Sequence, residues 1–173
     1  MPQQENFYLN TTPIPATEVL KVAATPTAVI LFEDFPLTDM PQAFDTSFAA
    51  LFPVLVQAGI NPIAAPFALH HRLPTDTVTF ELGIAVDAPL TQEITADNGL
   101  VVKPSELPGG DIARLSYLGE YAGLGPAWSR FLQGLIDAGK QLAFPFWEVY
   151  VSDPSQAVDP ATMRTDMYTL LES

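Results

Sequence analysis

The chain contains no cysteine, which excludes disulfides and thiolate metal sites and fits a cytoplasmic location. It is also poor in cations, with 7 Lys and Arg against 20 Asp and Glu and a formal net charge of -13. Phosphate backbones are gripped by Lys and Arg, so direct binding of DNA or RNA is not expected. The same scarcity disfavours an anionic membrane surface. No stretch of about 18 uncharged apolar residues occurs, so no transmembrane helix is expected. The first residues, Met1 to Asn6, lack a basic segment followed by an apolar one, so no signal peptide is evident. Only two histidines exist, His70 and His71. Neighbours on a strand point to opposite faces, so the pair is a poor metal site. Pro108-Gly109-Gly110 precedes a strand rather than a helix, so it does not form a phosphate loop. No Gly-x-Ser-x-Gly elbow and no Ser/His/Asp arrangement can be read. Neither a metal nor a cofactor is called for.

What is present is a core. The 173 residues are 48% apolar, enough for one compact domain. Residues 1–25 are polar and dotted with proline, and read as an arm that lies over the domain or stays loose. Within it, Ala16 to Ala24 fits a short helix or a strand. Thr27 to Phe32 reads as a first strand. From Met40 to Gln57, Phe44, Phe48, Leu51, Phe52, Leu55 and Val56 recur at helical spacing, with Pro53 expected to kink or split the run and Gly59 to end it. Ile63 to His71 is a second strand. Thr77 to Val86 alternates strictly and is a third. Gly99 to Lys103 and Asp111 to Leu118 read as strands, with a turn over Ser105 to Gly110. A second helix opens at Tyr121, carries Trp128, Phe131, Leu132, Leu135 and Ile136 as its stripe, and stops at Gly139. A strand from Phe144, closed by an Asp153-Pro154 turn, and a last strand from Met163 to Leu171 complete the chain.

The strand from Phe144 holds the outstanding residue. Alternation puts Phe146, Glu148 and Tyr150 on one face and Trp147, Val149 and Val151 on the other. A carboxylate among aromatic rings is costly unless something pairs with it. That makes Glu148 the first candidate for function. The competing explanation is an ion pair with Arg164 or Arg114.

The two halves share one order: strand, helix, strand, strand. Leu55-Val56-Gln57-Ala58-Gly59 lies over Leu135-Ile136-Asp137-Ala138-Gly139, and Phe48 over Trp128, at an offset of 80; Pro66-Phe67 lies over Pro145-Phe146 at 79. The expected fold is therefore α+β: a tandem β-α-β-β repeat, approximately residues 27–88 and 99–171. A pseudo-two-fold joins the strands into one antiparallel sheet with two main helices on one face. A groove between the helices is a natural ligand site. At an offset of 79, the counterpart of Glu148 is Leu69, the residue packing alone would choose.

Three segments carry a resemblance: Gly119-Glu120-Tyr121-Ala122-Gly123-Leu124, Trp147 to Pro154, and Arg164-Thr165-Asp166-Met167-Tyr168. Together, in this order, they resemble the GyrI-like (gyrase-inhibitory-protein-like) family, the effector-binding domain of bacterial transcription activators. The resemblance covers roughly residues 27–171, within a single domain from 26 to 173. It implies a cleft for apolar, often cationic, drug-like molecules. The family's acid falls on Glu148, and its pocket aromatics on Tyr121, Trp147 and Tyr150. Phe146 shares the face of Glu148. Trp128 lies over Phe48 in the repeat, which favours a packing role over ligand contact. Trp147 faces away from Glu148 unless a bulge intervenes, so its role at the site rests on the resemblance. No helix-turn-helix half is present. Some stand-alone relatives hydrolyse cyclopropane-bearing toxins with that acid and nearby Tyr and Trp. A second expectation is therefore hydrolysis, with Glu148 as general base and Tyr121 or Tyr150 orienting the substrate or donating a proton. A third is a protein partner, a regulator or a DNA-handling enzyme, bound through the acidic surface. Glu81 and Asp166 are repeat mates expected on a solvated face.

Overall fold

In a computed structural model, residues 12–152 and 159–172 are described. The first eleven residues and the Asp153-Pro154 turn lie outside them. The strands are β1 (Glu18–Val22), β2 (Thr25–Pro36), β3 (Phe67–His70), β4 (Thr77–Ala85), β5 (Ile94–Thr95), β6 (Val101–Leu107), β7 (Gly110–Leu118), β8 (Leu142–Tyr150) and β9 (Arg164–Leu171). Helix α1 (Met40–Ala58) follows β2, and α2 (Leu124–Asp137) follows β7. Every strand pairing is antiparallel, in the order β1-β7-β9-β8-β3-β4-β2-β6-β5.

The centre of that order is symmetric. Reading outward from the β3/β8 seam, β3-β4-β2 is matched by β8-β9-β7. Each half is a strand, a helix and two strands, as expected. Both helices pack on one sheet face. Leu51, Val54 and Leu55 of α1 meet Ala28, Ile30 and Ile84, while Trp128, Phe131 and Leu135 of α2 meet Ala113 and Met167. Gly59 caps α1 in the left-handed conformation (φ 70°), its N–H donating to the carbonyls of Leu55 and Val56.

Several local expectations differ from the structure. α1 runs through Pro53 without a break. Pro53 and Ala49, whose carbonyl it leaves without a donor, are both on the solvent side, where water can serve instead. The apolar stripe is wider than the buried face: Phe52, Val56 and Ile136 are exposed. The second strand is only Phe67–His70, while Pro104 and Ser105, assigned partly to a turn, lie inside β6.

Of the arm expected over residues 1–25, Glu18–Val22 is part of the sheet. Ile14 is buried, its N–H donates to Ser116 Oγ at 2.8 Å, and β1 pairs with β7. β1 and β2 lie far apart in the sheet order, yet only Ala23 and Ala24 connect them. β6 and β7 are likewise joined by Pro108 and Gly109 alone. The register runs on from one ladder to the other: Val22 opposes Gly110 and, three residues on, Thr25 opposes Leu107. β1–β2 and β6–β7 thus form one long two-stranded ribbon that bridges the outer edges of the two half-sheets. Gly109 packs so closely on it that a Cβ there would sit 2.7 Å from the Ala24 nitrogen.

The sheet must curl to allow this bridge, and curling seals its helix-free face. Val22 and Leu107 of the ribbon pack there with Phe67, Leu69, Ile112, Trp147, Val149 and Tyr168. This overturns the solvated face expected for Glu81 and Asp166. Both are buried, Glu81 against His71 at 2.6 Å and Asp166 against Arg164 at 2.8 Å.

Candidate functional site

The site lies where β3 and β8 meet beneath the first turns of the two helices. Direct cross-strand partners share a face, and the seam pairs Ala68 with Glu148, Leu69 with Trp147 and His70 with Phe146. Ala68, His70, Phe146, Glu148 and Tyr150 therefore face the helices, while Leu69 and Trp147 face the ribbon. Leu69 is not the counterpart of Glu148. Carrying the helix offset of 80 into β8 matches Ala68 to Glu148 and His70 to Tyr150. The asymmetry survives in a sharper form. One half places the smallest side chain that keeps a Cβ, and the other sets a carboxylate directly opposite.

Both carboxylate oxygens are engaged. Trp128 Nε1–H donates to Glu148 Oε1 at 2.6 Å, and the Tyr150 hydroxyl donates to Oε2 at 2.7 Å. Such short bonds are characteristic of an ionised acceptor. Among the described residues no cation pairs with Glu148. Arg164 is committed to Asp166, and Arg114 to Glu18 at 2.8 Å, so neither supplies the ion pair that would make Glu148 structural. Burial pushes the Glu148 pKa up, and the bonds from Tyr150 and Trp128 hold it back. Burial and the neighbouring carboxylate push the Tyr150 phenol far above its usual range, so it stays a proton donor.

Aromatic rings frame the acid. A ladder of four near-parallel rings crosses the sheet through directly opposed pairs. Phe32 stacks on Phe80 at 5.3 Å, Phe80 on His70 at 5.7 Å, and His70 on Phe146 at 5.0 Å. Trp128 ends the row, edge-on to Phe146 at 5.2 Å. Phe44 of α1 meets Tyr150 edge-on at 5.6 Å, and Tyr121 meets it from the other side at 6.1 Å. Offset and edge contacts of this kind add about 0.5–1.5 kcal/mol each beyond burial.

Tyr121 sits on the short turn before α2, and Tyr117 pins that turn. Its hydroxyl donates to the Glu120 carbonyl at 2.8 Å, and Gly119 and Gly123 close around the ring. A Cβ on Gly119 would fall 2.6 Å from the Tyr117 hydroxyl oxygen, and one on Gly123 would overlap it.

The structure thus brings together Glu148, Tyr150, Trp128, Phe146 and Tyr121. It places Trp147 elsewhere. The β8 bulge ends at Phe146, regular alternation resumes, and Trp147 stacks on Tyr168 at 5.5 Å on the opposite face. Trp128 is both a core residue and the donor to the acid. His70 is a member of the site that the sequence did not suggest: its doublet with His71 drew attention to metals. His71 turns to Glu81 while His70 joins the ladder. Ala68 and Phe44 were also missed, and the β3/β8 register is what identifies Ala68.

Two hollows lie away from Glu148. One of about 190 Å³ is bounded by Pro53, Gln57 and Asn98, the other of about 220 Å³ by Ser116, Arg130 and Phe131. Neither is bordered by Glu148. Glu148 lies where the aromatic rings are already in contact.

No protein-family profile and no curated protein sequence matches the chain. Solved structures do. The C-terminal domain of EcmrR aligns at a TM-score of 0.70 with 16% identity, over 91% of this chain and 97% of that one. In the complex of EcmrR with DNA, the chain spans 57% of the regulator's length. A hydrolase from Listeria innocua aligns at 0.64 with 13% identity, over 94% of both chains. SAV2435 bound to tetraphenylphosphonium aligns at 0.60 with 10% identity, over 91% of this chain and 94% of that one. These likenesses are of fold. The chain has the fold of a GyrI-like effector-binding domain.

Proposed function

We propose that this domain binds small apolar cations in the groove between α1 and α2, with Glu148 as the charge complement. One observation carries the reading: a carboxylate set among aromatic rings, held by Trp128 and Tyr150, with no cationic partner among the described residues. A ligand cation would supply the missing charge. Stacked on Trp128, Tyr150 or Tyr121, it would gain about 0.5–2 kcal/mol more. Tyr121, 42% exposed, is suited to the rim. The likeness to SAV2435, solved with tetraphenylphosphonium, supports the same chemistry. Titration with tetraphenylphosphonium and other lipophilic cations, read by tryptophan fluorescence, tests it. Wild type should bind and Glu148→Gln should bind at least tenfold more weakly, the loss of about 1.4 kcal/mol or more. Affinity should also fall as acidification protonates Glu148. Equal binding by both proteins sinks the cation reading.

A second reading is supported by the same two hydrogen bonds. A buried carboxylate with a raised pKa is a stronger base than an exposed one, and here it lies beside a phenol that keeps its proton. Glu148 would take a proton from water as the water oxygen bonds to a strained ring carbon. The breaking C–C bond would leave its electron pair on a conjugated carbonyl, and Tyr121 or Tyr150 would donate to that oxygen. The Listeria innocua hydrolase shares the fold. Turnover of a cyclopropane-bearing alkylator, absent in Glu148→Gln, is the expected result. A folded preparation that consumes none of it rules this reading out.

A further inference from the structure

His70 is the polar group of the groove that the role of Glu148 leaves unused. It is 6% exposed, and its Nδ1 is enclosed without a hydrogen-bond partner. Packing does not require an imidazole here. The other rungs of the ladder are Phe32, Phe80 and Phe146, and a phenyl ring would fill the slot without an unpaired nitrogen. The position is next to the acid: His70 opposes Phe146, and the neighbouring pair on the same face is Ala68 and Glu148. Diagonal neighbours of this kind lie roughly 7–8 Å apart, their Cβ atoms somewhat closer. The stack on both sides fixes the plane of the ring. Burial, with His71 adding to it, holds the His70 pKa at about 4, so the ring is neutral at ordinary pH and does not repel a cation.

We propose that His70 is the second polar contact of the Glu148 site, accepting a hydrogen bond from an N–H or O–H group on the body of the ligand. A neutral imidazole has one bare nitrogen, and that nitrogen is the acceptor. The ligands the groove prefers are then aromatic cations that also carry a donor near the charge, rather than wholly apolar ones. This inference rests on the cation reading of the groove.

The test compares ethidium, a planar cation with two aryl amino groups, with its dideaminated analogue. Wild type should bind ethidium up to about tenfold more tightly than the analogue, the range a single added hydrogen bond supplies. His70→Phe, which preserves the ring stack, should bring the two affinities together by weakening ethidium alone. Glu148→Gln should weaken both. Imidazole nitrogen NMR should show the His70 resonances move with ethidium and not with the analogue. Equal affinities in wild type overturn the inference, as does an ethidium preference that persists in His70→Phe, or equal weakening of both cations by that change. If wild type binds neither cation, the reading of Glu148 falls and this inference falls with it. If both bind and both depend on Glu148, failure of the His70 arm leaves that reading standing.

Discussion

Glu148→Gln is expected to stabilise the protein at alkaline pH while removing its affinity for cations. Burial raises the Glu148 pKa from its usual value of 4.5, so the folded protein holds that proton more tightly than the unfolded chain does. The stability tied to such a group is fully present below the unfolded pKa and is lost as pH rises through the folded one. The wild type therefore loses stability between pH 4 and pH 8 that a neutral side chain keeps. Gln keeps the shape without the charge. Its amide oxygen can accept from Trp128 Nε1, where Oε1 now accepts at 2.6 Å. Its NH₂ can donate to the Tyr150 oxygen across the present 2.7 Å contact, with the phenol turned from donor to acceptor. The number of hydrogen bonds is kept, and only their charge assistance is lost, a difference of about 1 kcal/mol per bond. Desolvation outweighs both bonds, since the pKa is raised in their presence. The variant is therefore expected to be more stable than wild type at pH 8 and to melt at a higher temperature. Thermal and urea unfolding of both proteins at pH 8 and pH 4 measures it. The gain should appear at pH 8 and disappear at pH 4. A Gln variant less stable than wild type at pH 8 would refute the reasoning, because it would mean that the charge is held by a stabilising partner.

Acid should act on His70 in the opposite sense. With a folded pKa of about 4 against 6.5, its contribution is present above the unfolded value and lost as pH falls between the two, about 3 kcal/mol in all. The urea midpoint of His70→Phe should change less than that of wild type across this window. Gly123→Ala should drive a methyl group into the Tyr117 hydroxyl and displace the turn bearing Tyr121. A stability loss of about 1–3 kcal/mol and weaker ligand binding are expected, and an unchanged melt and affinity would show that the peg has no such role. Asp166→Ala should cost about 3–5 kcal/mol in urea unfolding, because it strands the buried Arg164 guanidinium. A cost below about 1 kcal/mol would place that pair in the exposed class.

The setting of Glu148 among aromatic rings was legible because a charge in an apolar run has few explanations. Thr77 to Val86 was legible because strict alternation has only one. The repeat was legible in the helices, where Phe48 and Trp128 sit at matching points. It failed by one residue at the seam, where an alignment that gaps the connection is blind to which face a side chain takes. Pairing forces Ala68, not Leu69, against Glu148. Val19 and Leu20 gave no clear period, and β1 exists because β7 offers it an edge, a contact almost a hundred residues away. The ribbon was invisible for the same reason, and with it the burial of Asp166 and Trp147. His70 was overlooked because the rings that stack on it, Phe80 and Phe146, come from other strands.

The ribbon also decides what the two halves are to each other. β1 belongs to the N-terminal half yet completes the edge of β7, and β6 precedes the C-terminal helix yet completes the edge of β2. Each half lends a strand to the other, an exchange of arms within a single polypeptide. Neither half separated from the other would keep its outer edge covered, so the internal likeness does not mark two independent folding units. The chain should unfold as one cooperative body, and cleavage between the halves should leave fragments that stay associated.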